Sequence, residues 1–448
     1  MRLHRNARPP RPRGAAVVVL FVVLGAIAAC GGGGDDGREL HFLFWRQHQP
    51  EPLERAIQAF EAAHPDVTVV RHIGSENVSD YYRELTTKLR NQDPDVDVFF
   101  MDVIWPAEFA ARGYLAPLDD RVGAAGRDAF FPAPIRANTV DGTLYGLPFS
   151  IDVGLLYYRT DLLEAHGFQA PETWDELLAQ ADAILAARPD ADLYGYAGQF
   201  DRYEGLICNV LDLLAARSGS LVGPDGRPQV DTPEVAATLR WIRDELIHNP
   251  AVPRRASDYL LTAKEQESRD MFLRGDAIFL REWPEAWKIV NDSARSAVAG
   301  RVAMAPLPAF PGGAPAGTLG GWQLGLAAHS PRQDLAWTFV EHLTSHDVQA
   351  RLAIERAQAM ARLSIYDDAD VLDAMPHFGR PGPWGRPLED AAMAAVPRPR
   401  SVRYNALSER LQRCFHEAIR LPDSDIPALL RDCAAQVAEL GDGTTGAP

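Results

Sequence analysis

Between Leu40 and Met101 short apolar runs alternate with amphipathic stretches, an order that few folds accommodate. Leu40-His-Phe-Leu-Phe-Trp45 reads as a strand, and Leu53, Ile57 and Phe60 put a helix over Glu51–His64. Pro65-Asp66 stops that helix, and Val67-Thr-Val-Val70 begins a second strand. Tyr81, Leu85 and Leu89 place another helix over Asp80–Asn91, before the buried-strand pattern Asp97-Val-Phe-Phe-Met101. Strand, helix, strand, helix, strand at these lengths is an α/β pattern with a mainly parallel sheet. Ligands of open α/β sheets lie outside the carboxyl ends of the strands.

The middle of the chain is more helical. Thr173 with Glu176 three residues later is a capping box opening a helix over Trp174–Arg188. Thr232-Pro233 opens another, running to about His248. Strand patterns return at Gly275–Leu280, Val302–Pro308 and Leu324–Ala328, followed by a helix over Pro331–Thr344. Beyond the Pro/Gly-rich stretch Pro376–Pro387 the chain is mostly helical. An α/β block, a helical block, a return of strands and a helical tail predict two lobes with several crossings, and the cleft between them as the ligand site.

The amino terminus predicts export. Met1–Arg13 carries five arginines and no acid, and Ala15–Ala29 is an unbroken apolar run ending Ile27-Ala28-Ala29-Cys30. A basic segment, an apolar segment of about fifteen residues and a small-residue cleavage site form a secretory signal. The run is short for a hydrocarbon core of roughly 30 Å. Gly31–Gly34 and Asp35-Asp36-Gly37 make a solvated leash. Without the leader, 40 basic residues face 61 acidic ones, a formal charge of −21. That surface disfavours nucleic acid and anionic membranes as partners. Cys414 and Cys433 flank the turn Leu421-Pro422-Asp423-Ser424-Asp425 almost symmetrically, so an antiparallel helix pair brings them together as a disulfide or as two buried thiols. Cys208 is left over.

Seven segments resemble, in order, the sugar-binding proteins of ABC importers: extracellular solute-binding protein family 1, in its trehalose/maltose-binding branch. They are Asp97–Ala110 (DVFFMDVIWPAEFA), Tyr145-Gly-Leu-Pro148 with Asp152–Arg159, Pro171-Glu-Thr-Trp-Asp-Glu-Leu177, Gly275-Asp-Ala-Ile278, Trp283-Pro-Glu-Ala-Trp287, Gly320-Gly-Trp322, and Arg398-Pro399 through Tyr404. Ile27-Ala-Ala-Cys30 similarly resembles the bacterial lipobox, which implies a lipidated Cys30 and a protein tethered outside the cytoplasm. The resemblance implies a two-lobed periplasmic-binding-protein fold of type II that closes around a disaccharide or short oligosaccharide and delivers it to permease subunits. It implies a monomer with no cofactor and no catalysis. The expected division is 1–29 leader, 30–37 tether, 38–150 with 302–346 as lobe 1, 151–301 with 347–440 as lobe 2, and 441–448 a flexible tail.

A sugar presents hydroxyls at its rim and CH-rich faces, so its pocket uses carboxylates, whose hydrogen bonds are strong, and flat aromatic platforms. By motif position the resemblance assigns Asp102 and Asp152 to sugar hydroxyls, Trp283 and Trp322 to sugar faces, and Gly321 to close backbone approach. It assigns Arg398 as a donor, with Tyr404, and the polar first loop with Gln47 and His48, as further contacts. Each has a structural alternative: Asp102 as a helix cap, Asp152 as a hinge residue, the tryptophans as core, Arg398 as an interlobe ion pair. Ser150-Ile151 replaces the Tyr-Thr usual before the aspartate in this branch, which predicts a differently shaped pocket. The rival functions are a binder of another solute and a secreted glycosidase, which needs two carboxylates at a set separation across one bond. A nucleophile elbow, a phosphate loop and His-Glu-x-x-His are absent, and the histidines have no metal-ligand spacing.

Overall fold

A computed structural model describes residues 38–46, 50–75, 78–223, 227–256, 258–356, 358–375 and 387–440. Cys30, the leash, Gln47, His48, Pro376–Arg386 and the 441–448 tail lie outside them. The strands in chain order are β1 (Glu39–Phe44), β2 (Thr68–Ile73), β3 (Val98–Asp102), β4 (Thr139–Val140), β5 (Thr143–Leu144), β6 (Leu147–Pro148) and β7 (Asp152–Val153). They continue with β8 (Leu155–Arg159), β9 (Tyr194–Ala197), β10 (Ala277–Glu282), β11 (Val302–Pro306), β12 (Leu319–Gly320) and β13 (Trp322–Leu326).

Two sheets define two lobes. The first runs β2-β1-β3-β13-β6, with β1 parallel to both β2 and β3 and β13 antiparallel to β3. Its central strands are covered on both faces, which is why they read as continuous apolar runs. Leu53, Ala56, Ile57 and Phe60 of the helix Pro50–Ala63 are buried against them, and Phe60 meets Phe339 edge-on at 5.0 Å. The second sheet runs β11-β8-β10-β9. The helix Trp174–Ala186 beside it opens with the expected reciprocal cap, Glu176 N donating to Thr173 Oγ1 at 3.1 Å and Thr173 N to Glu176 Oε2 at 3.3 Å. Pro233–Arg240 also begins as expected, at Thr232, and continues as a π-helix over Trp241–Ile247.

The expected division into lobes needs two corrections. Val302–Pro306, placed with lobe 1, is β11 and pairs antiparallel with β8 in the second sheet. An apolar strand carries no mark of the sheet it joins, and only the pairing reveals it. The segment from Asp347 to Ala374, placed with lobe 2, stays with the first sheet. Its helix His346–Arg356 packs on Pro50–Ala63, and Ala361 N donates to Phe149 O at 3.2 Å.

The chain crosses between lobes at three adjacent places. β7 and β12 pair antiparallel, with Asp152 opposite Gly320 and Val153 opposite Leu319. The third crossing joins their edge, Leu319 N donating to Val396 O and Val396 N to Gly317 O, both at 2.8 Å. The helices Tyr404–Arg420 and Ile426–Ala438 then pack together on the second lobe, and Cys414 and Cys433 are bonded across them, Cα atoms 6.1 Å apart. Cys208 is free and buried. No helix among the described residues is long and apolar enough to cross a membrane.

Candidate functional site

The crossings bring together the carboxyl rim of β3, the start of β7 and the turn between β12 and β13. Asp102 ends β3 directly opposite Trp322 in register. Its Oδ1 accepts from Ile104 N at 3.2 Å and from Arg398 Nη2 at 3.1 Å, and its side chain is 20% exposed. Both bonds use Oδ1, which leaves Oδ2 for another partner. The helix Pro106–Ala111 starts from Trp105 without a side-chain cap, so Asp102 shapes the preceding turn rather than capping that helix. Burial holds its carboxyl above the ordinary range, against the pull of Arg398.

Arg398 is an interlobe ion pair. Nη2 binds Asp102 of the first lobe, and Nη1 donates at 2.9 Å to Glu204 Oε1, in the first turn of the helix Glu204–Ala215 of the second. Its Nε is buried without a partner. The cavity against it, lined by Ile104, Leu319 and Arg400 among others, measures about 10 Å³, the size of one water. Glu204 also accepts from Tyr404 Oη at 2.6 Å and from Ser408 Oγ. Tyr404 is thus buried and spends its hydroxyl on Glu204.

Asp152 and Trp283 flank Gly320. A Cβ added there would lie 3.2 Å from Asp152 Cβ and 3.3 Å from the Trp283 ring. Asp152 Oδ1 is buried and unpartnered. Burial, then Glu285 and Asp102, raise its carboxyl well above the usual range. Trp283 is half-buried, with the Arg281 guanidinium 4.0 Å from its ring, a cation–π contact. Arg281 in turn donates to Asp212 at 2.8 Å in full burial, and Asp212 accepts from Thr318 N on the second crossing, so this platform is braced by the crossing itself.

Gly321 has φ +111°, and a Cβ there would lie 2.4 Å from Ser150 O, so glycine is required by the packing of the turn on the first crossing. Ser150 and Ile151 are themselves fully buried, and Ser150 Oγ accepts from Trp322 N at 3.2 Å. Trp322 is 7% exposed, stacked on Trp45 at 4.6 Å and edge-on to Trp105 at 5.9 Å. Trp45, Glu204 and Arg356 belong to this region and were not singled out by sequence reasoning. Trp45 was the most accessible to it, since it directly follows β1 at the carboxyl rim of the sheet. Glu204 and Arg356 carry no local signal, because distant crossings bring them in.

The sequence profile of the family described as bacterial extracellular solute-binding protein matches residues 47–350. A probable ABC transporter-binding protein of Deinococcus radiodurans is 36% identical over 342 residues, 75% of this chain and 78% of its own. A mannitol-binding protein of Pseudomonas aeruginosa is 26% identical, covering 71% of this chain and 72% of its own. Among solved structures, maltose-bound MalE3 of T. maritima superposes with a TM-score of 0.78 at 32% identity, covering 90% of this chain and 99% of that one.

Proposed function

The chain belongs to the bacterial extracellular solute-binding proteins, and from that premise we propose that it captures a disaccharide or short oligosaccharide of the trehalose/maltose type for an ABC importer. The observation that carries this is the pairing of two carboxylates that each keep an oxygen without a partner, Asp102 and Asp152, with the indoles of Trp283 and Trp322 where the lobes join. Charged acceptors for hydroxyls and flat rings for CH faces are what a neutral sugar needs. The relative whose structure holds maltose supports the same solute class.

Binding proceeds by hinge closure about the three crossings. In the open protein water satisfies Asp102, Asp152 and Arg398; on closure the sugar replaces it, and permease subunits recognise the closed shape. Gln47 and His48 would reach the ligand from the first loop. A lipidated Cys30 would hold a monomer at the outer face of a membrane by the leash 31–37.

A thermal-shift screen tests this with maltose, trehalose, sucrose, maltotriose, monosaccharides, mannitol and ribitol, alongside polyamines and amino acids. A ligand at 100 times its dissociation constant stabilises by about 2.7 kcal/mol. Shifts with di- or trisaccharides that vanish in Asp102→Ala and Trp322→Ala support the reading. Shifts confined to polyols would keep the site and change the solute, and a response only to non-sugars would overturn it.

A further inference from the structure

The buried guanidinium of Arg356 has no assigned role. It is the last residue of the helix His346–Arg356 and is 7% exposed, and its Nε and Nη1 are fully enclosed without a hydrogen-bond partner. The strand-like segment that follows runs antiparallel beside Phe149–Ile151. Ile151 N donates to Ala359 O at 3.1 Å, Ser150 bridges Met360, and Ala361 N donates to Phe149 O at 3.2 Å. This pairing carries Arg356 to the side of β7, where Asp152 Oδ1 and Gln358 Oε1 are also buried without a partner. The two groups feel each other: Asp152 is among the charges acting on Arg356, and Arg356 among those acting on Asp152. Burial still pushes the guanidinium down to about 10, and no direct ion pair forms between them.

Buried polar groups in native proteins are almost always bonded, and an exception at a ligand cleft marks an absent partner. The missing group must accept from a guanidinium and donate to a carboxylate at the same time. A hydroxyl does both through one oxygen. A carboxylate or phosphate accepts only, and Asp152 with the solvent-facing Glu285 would repel it.

We infer that Arg356 and Asp152 together hold one hydroxyl of a neutral sugar, so that the site selects against sugar acids and against the analogue lacking that hydroxyl. The inference rests on the sugar-binding reading above and adds Arg356 to it.

Isothermal titration of the mature protein with maltose, trehalose and maltotriose, and with glucuronic acid as the anionic probe, tests it in Arg356→Gln, Asp152→Asn and the double variant. The expected loss is roughly 10- to 100-fold for each single variant, the size of one charge-assisted hydrogen bond. The double variant should lose little more than either single one, because both act on one hydroxyl. Thermal unfolding of ligand-free Arg356→Gln should match or exceed the parent, since the change removes an unpaired buried charge. A lower melting temperature with unchanged affinity would overturn the proposal by making Arg356 structural. Additive losses, or glucuronic acid bound as well as the neutral sugars, would overturn it too. Asp102→Ala separates the two levels: if it abolishes sugar binding while Arg356→Gln does not weaken it, only the Arg356 assignment fails. If the parent binds none of the sugars, both readings fall.

Discussion

The two ends of the segment Asp97–Asp102 carry the same residue in opposite conditions. Asp97, just before β3, is fully buried, and both its oxygens are spent. They take His41 N at 2.8 Å, Ser330 Oγ at 2.5 Å and Arg332 Nη1 at 3.1 Å from each, all within the first lobe. Asp102, at the other end, keeps one oxygen without a partner and binds an arginine that also holds the second lobe. Four residues separate a carboxylate that completes a lobe from one that faces the junction of two. Position at the amino or carboxyl rim of the sheet decides which, because only the carboxyl rim faces the crossings.

The largest effect should come from breaking the completed end. Asp97→Ala takes an acceptor from a buried guanidinium, a hydroxyl and a backbone N–H, and removing one partner of a buried pair costs roughly 3–5 kcal/mol. Urea unfolding measures that loss, and the protein that remains folded should bind sugar as before. Asp102→Asn should invert the pattern. Ligand-free stability should move by less than about 1 kcal/mol, since the burial that raises this carboxyl already penalises its charge. Sugar affinity should drop by roughly 10-fold or more. Equal stability losses at both ends would remove the distinction.

Much of this contrast was readable before the structure. The apolar run of β3 and the break at Asp102-Val-Ile-Trp105 show where the strand stops, and family motifs single out Asp152, Trp283 and Gly320-Gly-Trp322. The rest depends on pairings between residues far apart in sequence. The expected division puts Val302–Pro306 in the first lobe together with β13, yet its hydrogen bonds go to β8. Arg356 ends a helix with little apolar asymmetry, and only the pairing of 359–361 with 149–151 brings it beside the first crossing. Glu204 is one acid among many until Arg398, Tyr404 and Ser408 converge on it.

Glu282 stands between the two extremes. It is fully buried at the end of β10, with Oε1 accepting from Trp283 N at 2.9 Å and Oε2 unpartnered. Burial pushes its carboxyl up to about 8. A folded-state value above the unfolded one, about 4.3, means that the folded protein holds the proton more tightly. The resulting stability is complete below the unfolded value and is lost as pH rises through about 8. Glu282→Gln removes this dependence. Relative to it, the parent should weaken by up to about 1.4 kcal/mol per pH unit between those values, then level off. Denaturant titrations at several pH values read the slope directly, and parallel curves for the two proteins would show that Glu282 stays ionised.

The smallest effect belongs to Tyr404, which the motifs offer as a ligand contact and the fold turns toward Glu204. Its hydroxyl is already spent at 2.6 Å on Glu204 Oε1, the same oxygen that receives Arg398. Burial and the Glu204 charge both raise this phenol well above its usual value, so it stays a donor at any working pH. Tyr404→Phe removes one of three donors to Glu204 and leaves Arg398 and Ser408 in place, a loss of about 1 kcal/mol or less in stability. If Tyr404 acts on the sugar only by steadying Glu204, and Glu204 only by steadying Arg398, affinity should fall a few-fold at most. The same substitution in a Glu204→Gln background should then add nothing, because neighbours in one network do not contribute independently. An undiminished loss in that background would place the hydroxyl on the ligand, moving Tyr404 from the completed kind of polar group to the kind represented by Asp102.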